Sequence, residues 1–114
     1  MPIQKWSDEI LLVQLANEPA LSEDLTALGH EVSRGGDGRT DAVIDFSGIT
    51  QLNSSNMSQL LRLRKEAGDR QSRIKLAALP DSIWVVFLTT GLDKLFDFAP
   101  DVPTALAGLQ LDEK

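Results

Sequence analysis

The fold is indicated most strongly by one stretch near the middle of the chain. It begins with Asp41-Ala42-Val43-Ile44-Asp45-Phe46, an apolar run of strand length, and continues through Ser47-Gly48. A polar cluster follows at Asn53-Ser54-Ser55-Asn56, and residues of these types prefer helix caps and turns to helix interiors. From Ser54 to Ala67 most apolar residues fall on one broad helical face. The stretch therefore predicts a buried strand, a turn and an amphipathic helix.

Strands and helices are predicted to alternate on both sides of this stretch. Ile10 to Ala16 and Ile74 to Leu79 are short apolar runs rich in branched residues, as buried strands often are. One helix is predicted to begin at Ser22 and another at Asp81, because residues of both types favour a helix start. The loop after the first helix is predicted at Gly35-Gly36-Asp37-Gly38.

The C-terminal part of the chain is predicted to add one strand and one helix. Leu92 to Phe98 is expected to continue into a short last strand, and Pro103 to Leu109 to form a short helix. Gly68 is expected to be the left-handed residue that ends the central helix. Because strands and helices alternate, the chain is expected to be α/β, with parallel pairing and right-handed crossovers.

Length and composition limit what the chain can be. Its 114 residues, 42% hydrophobic and 25% charged, are the composition of one packed domain and leave no room for a second. The absence of cysteine excludes disulfides, thiolate metal sites and cysteine nucleophiles. The net charge of −6 comes from 17 acids and 11 dispersed bases, which disfavours nucleic-acid binding. No signal peptide or bilayer-spanning run is present, so we expect a cytoplasmic protein without membrane insertion.

An ordered set of segments resembles the STAS domains of the anti-sigma factor antagonist family. The segments are Ala42 to Ile49, Asn53-Ser54-Ser55, Leu60 to Leu63, Leu88 to Phe96 and Ala105 to Ala107. Each segment alone is common, and it is their combination over roughly residues 10 to 110 that is specific. The resemblance implies a single STAS-like domain over residues 1–114, with a mixed, mostly parallel sheet of about four to five strands and about four helices.

The resemblance also implies a partner switch. In this family a serine at the start of the helix after the second buried strand is phosphorylated by a serine kinase that is also the anti-sigma factor. The unmodified antagonist binds that kinase, and a PP2C-type phosphatase reverses the modification. The family motif is Asp-Ser-Ser-Gly with its first serine modified, which corresponds to Ser54. We therefore expect phosphorylation at Ser54 and partner binding through Asn53, Ser55, Asn56 and Met57, although Asn53 and Asn56 replace the family's acid and glycine.

Three alternatives remain open at the level of sequence. The turn could serve only as a helix cap. The chain could be a non-phosphorylated STAS adaptor, for example the small subunit of a lipid-transport ABC complex. An enzyme with Ser54 as nucleophile is the weakest alternative, because the one histidine, His30, lies in another predicted helix. With no cysteine and dispersed acids, we expect no metal, no cofactor and no catalytic residue.

Overall fold

The computed structural model describes residues 3–33 and 40–111, which form a five-stranded sheet and four α-helices. The strands are β1 (Ile3–Lys5), β2 (Ile10–Gln14), β3 (Asp41–Asp45), β4 (Ile74–Ala77) and β5 (Asp97–Ala99). The helices are α1 (Ala20–Ser33), α2 (Ser54–Asp69), α3 (Asp81–Thr90) and α4 (Val102–Leu111). The sheet order is β1-β2-β3-β4-β5, with β1 antiparallel to β2 and the remaining neighbours parallel. The predicted α/β class and mixed, mostly parallel sheet are confirmed.

The two faces of the sheet are covered unequally. Apolar side chains of α1, α2 and α3 pack on one face, against residues such as Ile44 and Phe46. Within the described residues, α4 alone packs on the other face, where Ala105 and Leu109 lie with Val43. The strand β3 is at the centre of the sheet, and its residues from 41 to 44 are fully buried. Its continuous apolar run follows from this burial on both faces.

The structure corrects several of the predicted strand boundaries. The edge strand β1 was not predicted, β2 ends at Gln14 instead of Ala16, and β4 ends at Ala77. The expected strand from Leu92 to Phe98 begins instead as a 3₁₀ helix (Leu92–Lys94), and β5 follows it. A left-handed glycine, Gly91 at φ 79°, directs the chain into that 3₁₀ helix.

Helix ends also differ from the sequence-based prediction. α1 begins at Ala20, two residues before Ser22, and α4 extends over Val102–Leu111. Gly68 remains within α2, and the left-handed residue after that helix is Gln71, at φ 58°. The predicted loop at Gly35-Gly36-Asp37-Gly38 lies outside the described residues.

The parallel strands bring three helix starts to one edge of the sheet. Since β2, β3 and β4 run in the same direction, the loops that leave their carboxyl ends lie side by side. These loops lead into α1, α2 and α3, respectively. In open α/β sheets this carboxyl edge is the usual place for a binding site. The Asn53-Ser54-Ser55-Asn56 turn lies there.

Candidate functional site

The start of α2 is held by two asparagines that cap each other. The side-chain Oδ1 of Asn53, the N-cap residue, accepts a hydrogen bond from the backbone N–H of Asn56 at 2.8 Å. The Oδ1 of Asn56 accepts one in return from the backbone N–H of Asn53 at 3.0 Å. This is a capping box built from two amides. Both asparagines therefore have a defined structural role at the turn.

The two serines of the turn occupy the first two positions of α2. Ser54 and Ser55 are both exposed. Their backbone N–H groups make no hydrogen bond to any residue in the described ranges, whereas the N–H of Met57 already bonds to the Asn53 carbonyl. Unpaired N–H groups and the positive end of the helix dipole favour an anion at such a position. The turn thus presents an accessible hydroxyl beside donors that suit negative charge.

Asn56 lies beneath the turn rather than on its surface. It is only 1% exposed, so its side chain offers no area for the direct partner contact expected from the sequence. Its Nδ2 donates to the Glu18 carboxylate at 3.1 Å, which satisfies this buried amide. Met57 is half-buried and Asn53 is exposed. Asn56 therefore shapes the turn, while Asn53 and the two serines form its surface.

Glu18 connects the starts of two helices. Its carboxylate accepts hydrogen bonds from the backbone N–H and the hydroxyl of Ser22 in α1, and from Asn56 in α2. The bonds from Ser22, followed by that from Asn56, hold the pKa of Glu18 below its ordinary value of 4.5. Residue 53 is an asparagine and has no carboxylate. The carboxylate beside the turn comes instead from Glu18, in another segment of the chain.

We expect Glu18→Gln to reduce the dependence of unfolding free energy on pH in the acid range. Above pH 4.5, the unfolded-state value, ionised Glu18 contributes its full stabilisation. As the pH falls the unfolded chain binds the proton first, so the contribution is lost as the pH passes through the lower folded-state pKa. Urea unfolding at neutral pH and at several values below 4.5 measures this loss.

Glu9→Gln is the matched control for this pH series, because Glu9 is an exposed acid away from the turn. The control should keep the pH dependence of the unmodified chain. Equal pH dependence in the Glu18→Gln variant and the unmodified chain would contradict the assigned role of the Glu18 carboxylate.

Further side-chain hydrogen bonds fix the turn and the loop that precedes it. The amide of Gln59, one turn into α2, donates to the Ser22 carbonyl at 3.0 Å and to the Thr26 hydroxyl at 3.1 Å. Asn17, beside Glu18, donates to the Thr50 hydroxyl and accepts from the Thr50 backbone N–H, both at 3.0 Å. The segment that carries the turn is thus bonded to the loop between β2 and α1 through Thr50, and to α1 itself through Gln59.

An open groove of about 690 Å³, here called the edge groove, runs beside the turn. Its walls come from all three loop-and-helix junctions at the carboxyl edge. Among the described residues, Glu18 is the one charged side chain that lines it. Aliphatic lining is supplied by Leu52, Ile83 and Val86. The candidate site is therefore an exposed turn with two serines next to an open groove that is part polar and part aliphatic.

The one histidine, His30, does not line the edge groove. His30 lines a different, smaller cavity of about 100 Å³ between α1 and α2, together with Arg62 and Glu66. Within residues 3–33 and 40–111, no three acidic or histidine side chains are grouped to hold a metal ion. No helix in this part of the chain is both long and apolar enough to cross a bilayer.

Comparison with protein families assigns the chain. A family model described as "Mlab, STAS domain" matches residues 11–98. The chain belongs to the STAS domain family. This confirms the resemblance seen in the sequence, and places the candidate turn of this STAS domain well inside the matched region. Comparison with curated proteins finds no match.

Solved structures share the fold at low sequence identity. An anti-sigma-factor antagonist domain protein from Planctomyces limnophilus has a TM-score of 0.78 at 15% identity, covering 95% of this chain and 97% of that one. A variant of RsbS from Moorella thermoacetica gives 0.78 at 19% identity, with full coverage of both chains. Phosphorylated SpoIIAA from Bacillus gives 0.71 at 16% identity, covering 94% and 96%. These similarities show an anti-sigma factor antagonist fold.

Glu18 is the residue that sequence reasoning missed at this site. It bonds to Asn56 across 38 positions of the chain, a separation that no local pattern reports. One signal was present in the sequence. Glu18 lies two residues after the end of the predicted strand Ile10 to Ala16, separated from it only by Asn17. An acid that follows the carboxyl end of a parallel strand is a candidate for the functional edge.

Proposed function

We propose that this STAS domain is a partner-switching regulator of the anti-sigma factor antagonist type. Its turn from Asn53 to Met57 binds a serine kinase that acts as an anti-sigma factor, with Asn56 contributing from beneath the surface. Phosphorylation of Ser54 by that kinase releases the domain, and a PP2C-type phosphatase restores binding. The protein acts in the cytoplasm, where ATP is available to the kinase, and has no catalytic residue or cofactor of its own.

The observation that carries this proposal is the position of Ser54. Its hydroxyl is exposed at the first residue of α2, beside two backbone N–H groups that have no partner among the described residues. A phosphate there gains about 0.3–1 kcal/mol from the helix start, so the modified domain stays folded. The Bacillus relative SpoIIAA, which shares the fold, has a phosphorylated form.

The effect of the phosphate falls on the partner. Phosphorylation adds a charge of about −1.5 to −2 and considerable bulk, which a fitted interface has to desolvate or exclude. A nearly complete change between bound and released states needs about 5.5 kcal/mol of differential binding. One phosphate supplies that much only near the centre of the contact. Ser54 therefore lies at the centre of the proposed interface.

Labelling with ATP tests the proposed modification. The chain is incubated with ATP and a serine kinase of the anti-sigma type, and the phosphorylated residue is mapped by mass spectrometry. We expect one phosphate on Ser54, and loss of labelling in Ser54→Ala but not in Ser55→Ala or Ser58→Ala. Labelling that persists in Ser54→Ala, or no labelling at all, would remove Ser54 as the regulated residue.

Binding to the same kinase tests the switch itself. Ser54→Asp should weaken binding by at least about tenfold, or 1.4 kcal/mol, because it places charge at the contact. Ser58→Asp is the control, since Ser58 is exposed one helical turn further along α2. Titration calorimetry measures the affinity of both variants for the kinase. An equal loss of affinity in the two would show that a charge at residue 54 has no greater effect than one at residue 58.

A constitutive STAS adaptor, for example of a lipid-transport ABC complex, is the second candidate function. Two observations favour it. The matching family model names Mlab rather than an anti-sigma factor antagonist. In addition, Asn53 and Asn56 stand where the antagonist motif has an acid and a glycine. Co-purification with a transporter ATPase that is unaffected by Ser54→Asp would favour the adaptor over the switch.

A further inference from the structure

The capping box at the start of α2 depends on how two side-chain amides are turned. The Oδ1 atoms of Asn53 and Asn56 each accept from the backbone N–H of the other residue. An asparagine amide presents an acceptor oxygen and a donor nitrogen in almost the same place, so turning either amide over would set a donor against that N–H. An aspartate has no such wrong orientation, because both of its oxygens accept. A cap made of two asparagines therefore needs a group that fixes both amides.

Glu18 is placed to fix both amides. Its Oε2 accepts from Asn56 Nδ2 at 3.1 Å, and the Asn53 side chain also donates to this carboxylate. A carboxylate can only accept, so an amide turned over would set its own oxygen against a negative oxygen. Two further acceptors near Asn56 Nδ2 are neutral and lie further away, the Ser22 hydroxyl at 3.4 Å and Gln59 Oε1 at 3.5 Å. The hydrogen bond to the charged Glu18 is therefore the stronger one.

The Glu18 carboxylate is itself held in place by α1. Its Oε1 accepts from the backbone N–H of Ser22 at 2.8 Å, and its Oε2 accepts from the Ser22 hydroxyl. The start of α1 also favours the negative form of the carboxylate. Gln59 in α2 donates to the Ser22 carbonyl at 3.0 Å, so this first turn of α1 is bonded to α2. The carboxylate therefore has a fixed position from which it can orient the two asparagines.

We propose that Glu18 is the positioning residue of the partner-binding turn, and that its carboxylate orients the side-chain amides of Asn53 and Asn56. This role rests on the function proposed above, because the turn from Asn53 to Met57 is the surface that meets the kinase. The effect of Glu18 then depends on the residue at 53. With asparagine there, the Glu18 carboxylate stabilises the turn. With aspartate there, it would face a second negative charge that needs no orienting group.

Hydrogen exchange tests this role without any kinase. The backbone N–H of Asn56, which bonds to Asn53 Oδ1 at 2.8 Å, is followed by NMR in the full chain labelled with ¹⁵N. Glu18→Gln should speed its exchange about tenfold, which is within the usual cost of losing an N-cap bond. Glu9→Gln is the control and should leave this exchange unchanged, because Glu9 is an exposed acid away from the turn.

The same substitution should act in the opposite direction when residue 53 is aspartate. Adding Glu18→Gln to Asn53→Asp should slow exchange of the Asn56 N–H about threefold relative to Asn53→Asp alone, because it removes repulsion between two exposed carboxylates. A residue that only stabilised the fold would act in one direction in both chains. This comparison also gives a result if Glu18→Gln alone fails to fold.

Binding to a serine kinase of the anti-sigma type gives the functional readout. Titration calorimetry should show about tenfold weaker binding for Glu18→Gln than for the unmodified chain, and adding Asn53→Asp should recover most of that loss.

Three results would overturn the positioning role. They are unchanged exchange of the Asn56 N–H in Glu18→Gln, faster exchange on adding Glu18→Gln whichever residue is at 53, and equal kinase affinity of Glu18→Gln and the unmodified chain. Faster Asn56 exchange in Glu18→Gln, in a protein whose unmodified form binds no kinase, would support the orientation of the amides by Glu18 and contradict the proposed function alone.

Discussion

Replacing Phe87 by Ala is expected to lower the free energy of unfolding by about 3–5 kcal/mol. Phe87, on α3, is 1% exposed and packs in the core between α3 and the sheet. Its ring meets those of Phe46, Phe96 and Phe98 edge-on, with centroids 6.2, 5.9 and 5.5 Å away. The substitution therefore removes apolar burial and three favourable ring contacts at once, and leaves a cavity in the larger core.

Urea or guanidinium unfolding measures the effect of Phe87→Ala on the free energy of unfolding. Val85→Ala is the control, because Val85 lies on the same helix but is 55% exposed, and it should change the free energy of unfolding by less than about 0.5 kcal/mol. Phe87→Leu should fall between the two. A loss below about 1.5 kcal/mol for Phe87→Ala would mean that the surrounding rings close the cavity, against the expectation from close packing.

The second large effect is expected at an ion pair on the opposite side of the sheet. The Asp41 carboxylate, in β3, is fully buried and accepts from the backbone N–H of Arg73 at 2.7 Å. The Arg73 guanidinium lies 3.5 Å from the same carboxylate and donates to the Leu109 carbonyl in α4 at 2.8 Å. Arg73→Met removes the positive charge but leaves the buried negative one, so we expect a loss of about 3–5 kcal/mol.

The matching aspartate substitution distinguishes this ion pair from simple loss of packing. Asp41→Asn should cost less than Arg73→Met, because the Arg73 side chain is one quarter exposed and its charge remains partly hydrated. The double variant should be more stable than the sum of the single losses predicts. Arg62→Met, at an exposed position on α2, is the control. Strict additivity of the two losses would contradict the coupling assigned to the pair.

The order of the main elements was predictable from the sequence because each has a local pattern. The apolar run in β3 and the one-sided face of α2 each lie within a dozen or so neighbouring residues, and both were confirmed. The edge strand β1 was missed because its three residues carry no periodicity, and its pairing with Leu11, Leu12 and Val13 decides its conformation. The 3₁₀ helix at Leu92–Lys94 likewise depends on the left-handed Gly91 before it.

The candidate site was predictable only in part, for the same physical reason. Ser54 and Asn53 stand next to each other in a recognisable helix-start pattern, and the structure places both at the start of α2. The burial of Asn56 and the approach of Glu18 depend on how α1 and α2 pack together, through bonds that span 34 to 38 positions. Whether Ser54 is phosphorylated stays a prediction.

The hydrogen bond between Glu18 and Asn56 has a consequence for the evolution of the domain. An aspartate at 53 would bring a second carboxylate close to Glu18, and a glycine at 56 would remove the amide that donates to it. Positions 18, 53 and 56 should therefore change together among homologues, with an acid at 18 accompanying amides at 53 and 56. A search restricted to the Asp-Ser-Ser-Gly motif would pass over such lineages, whereas one that scores the three positions jointly would collect them.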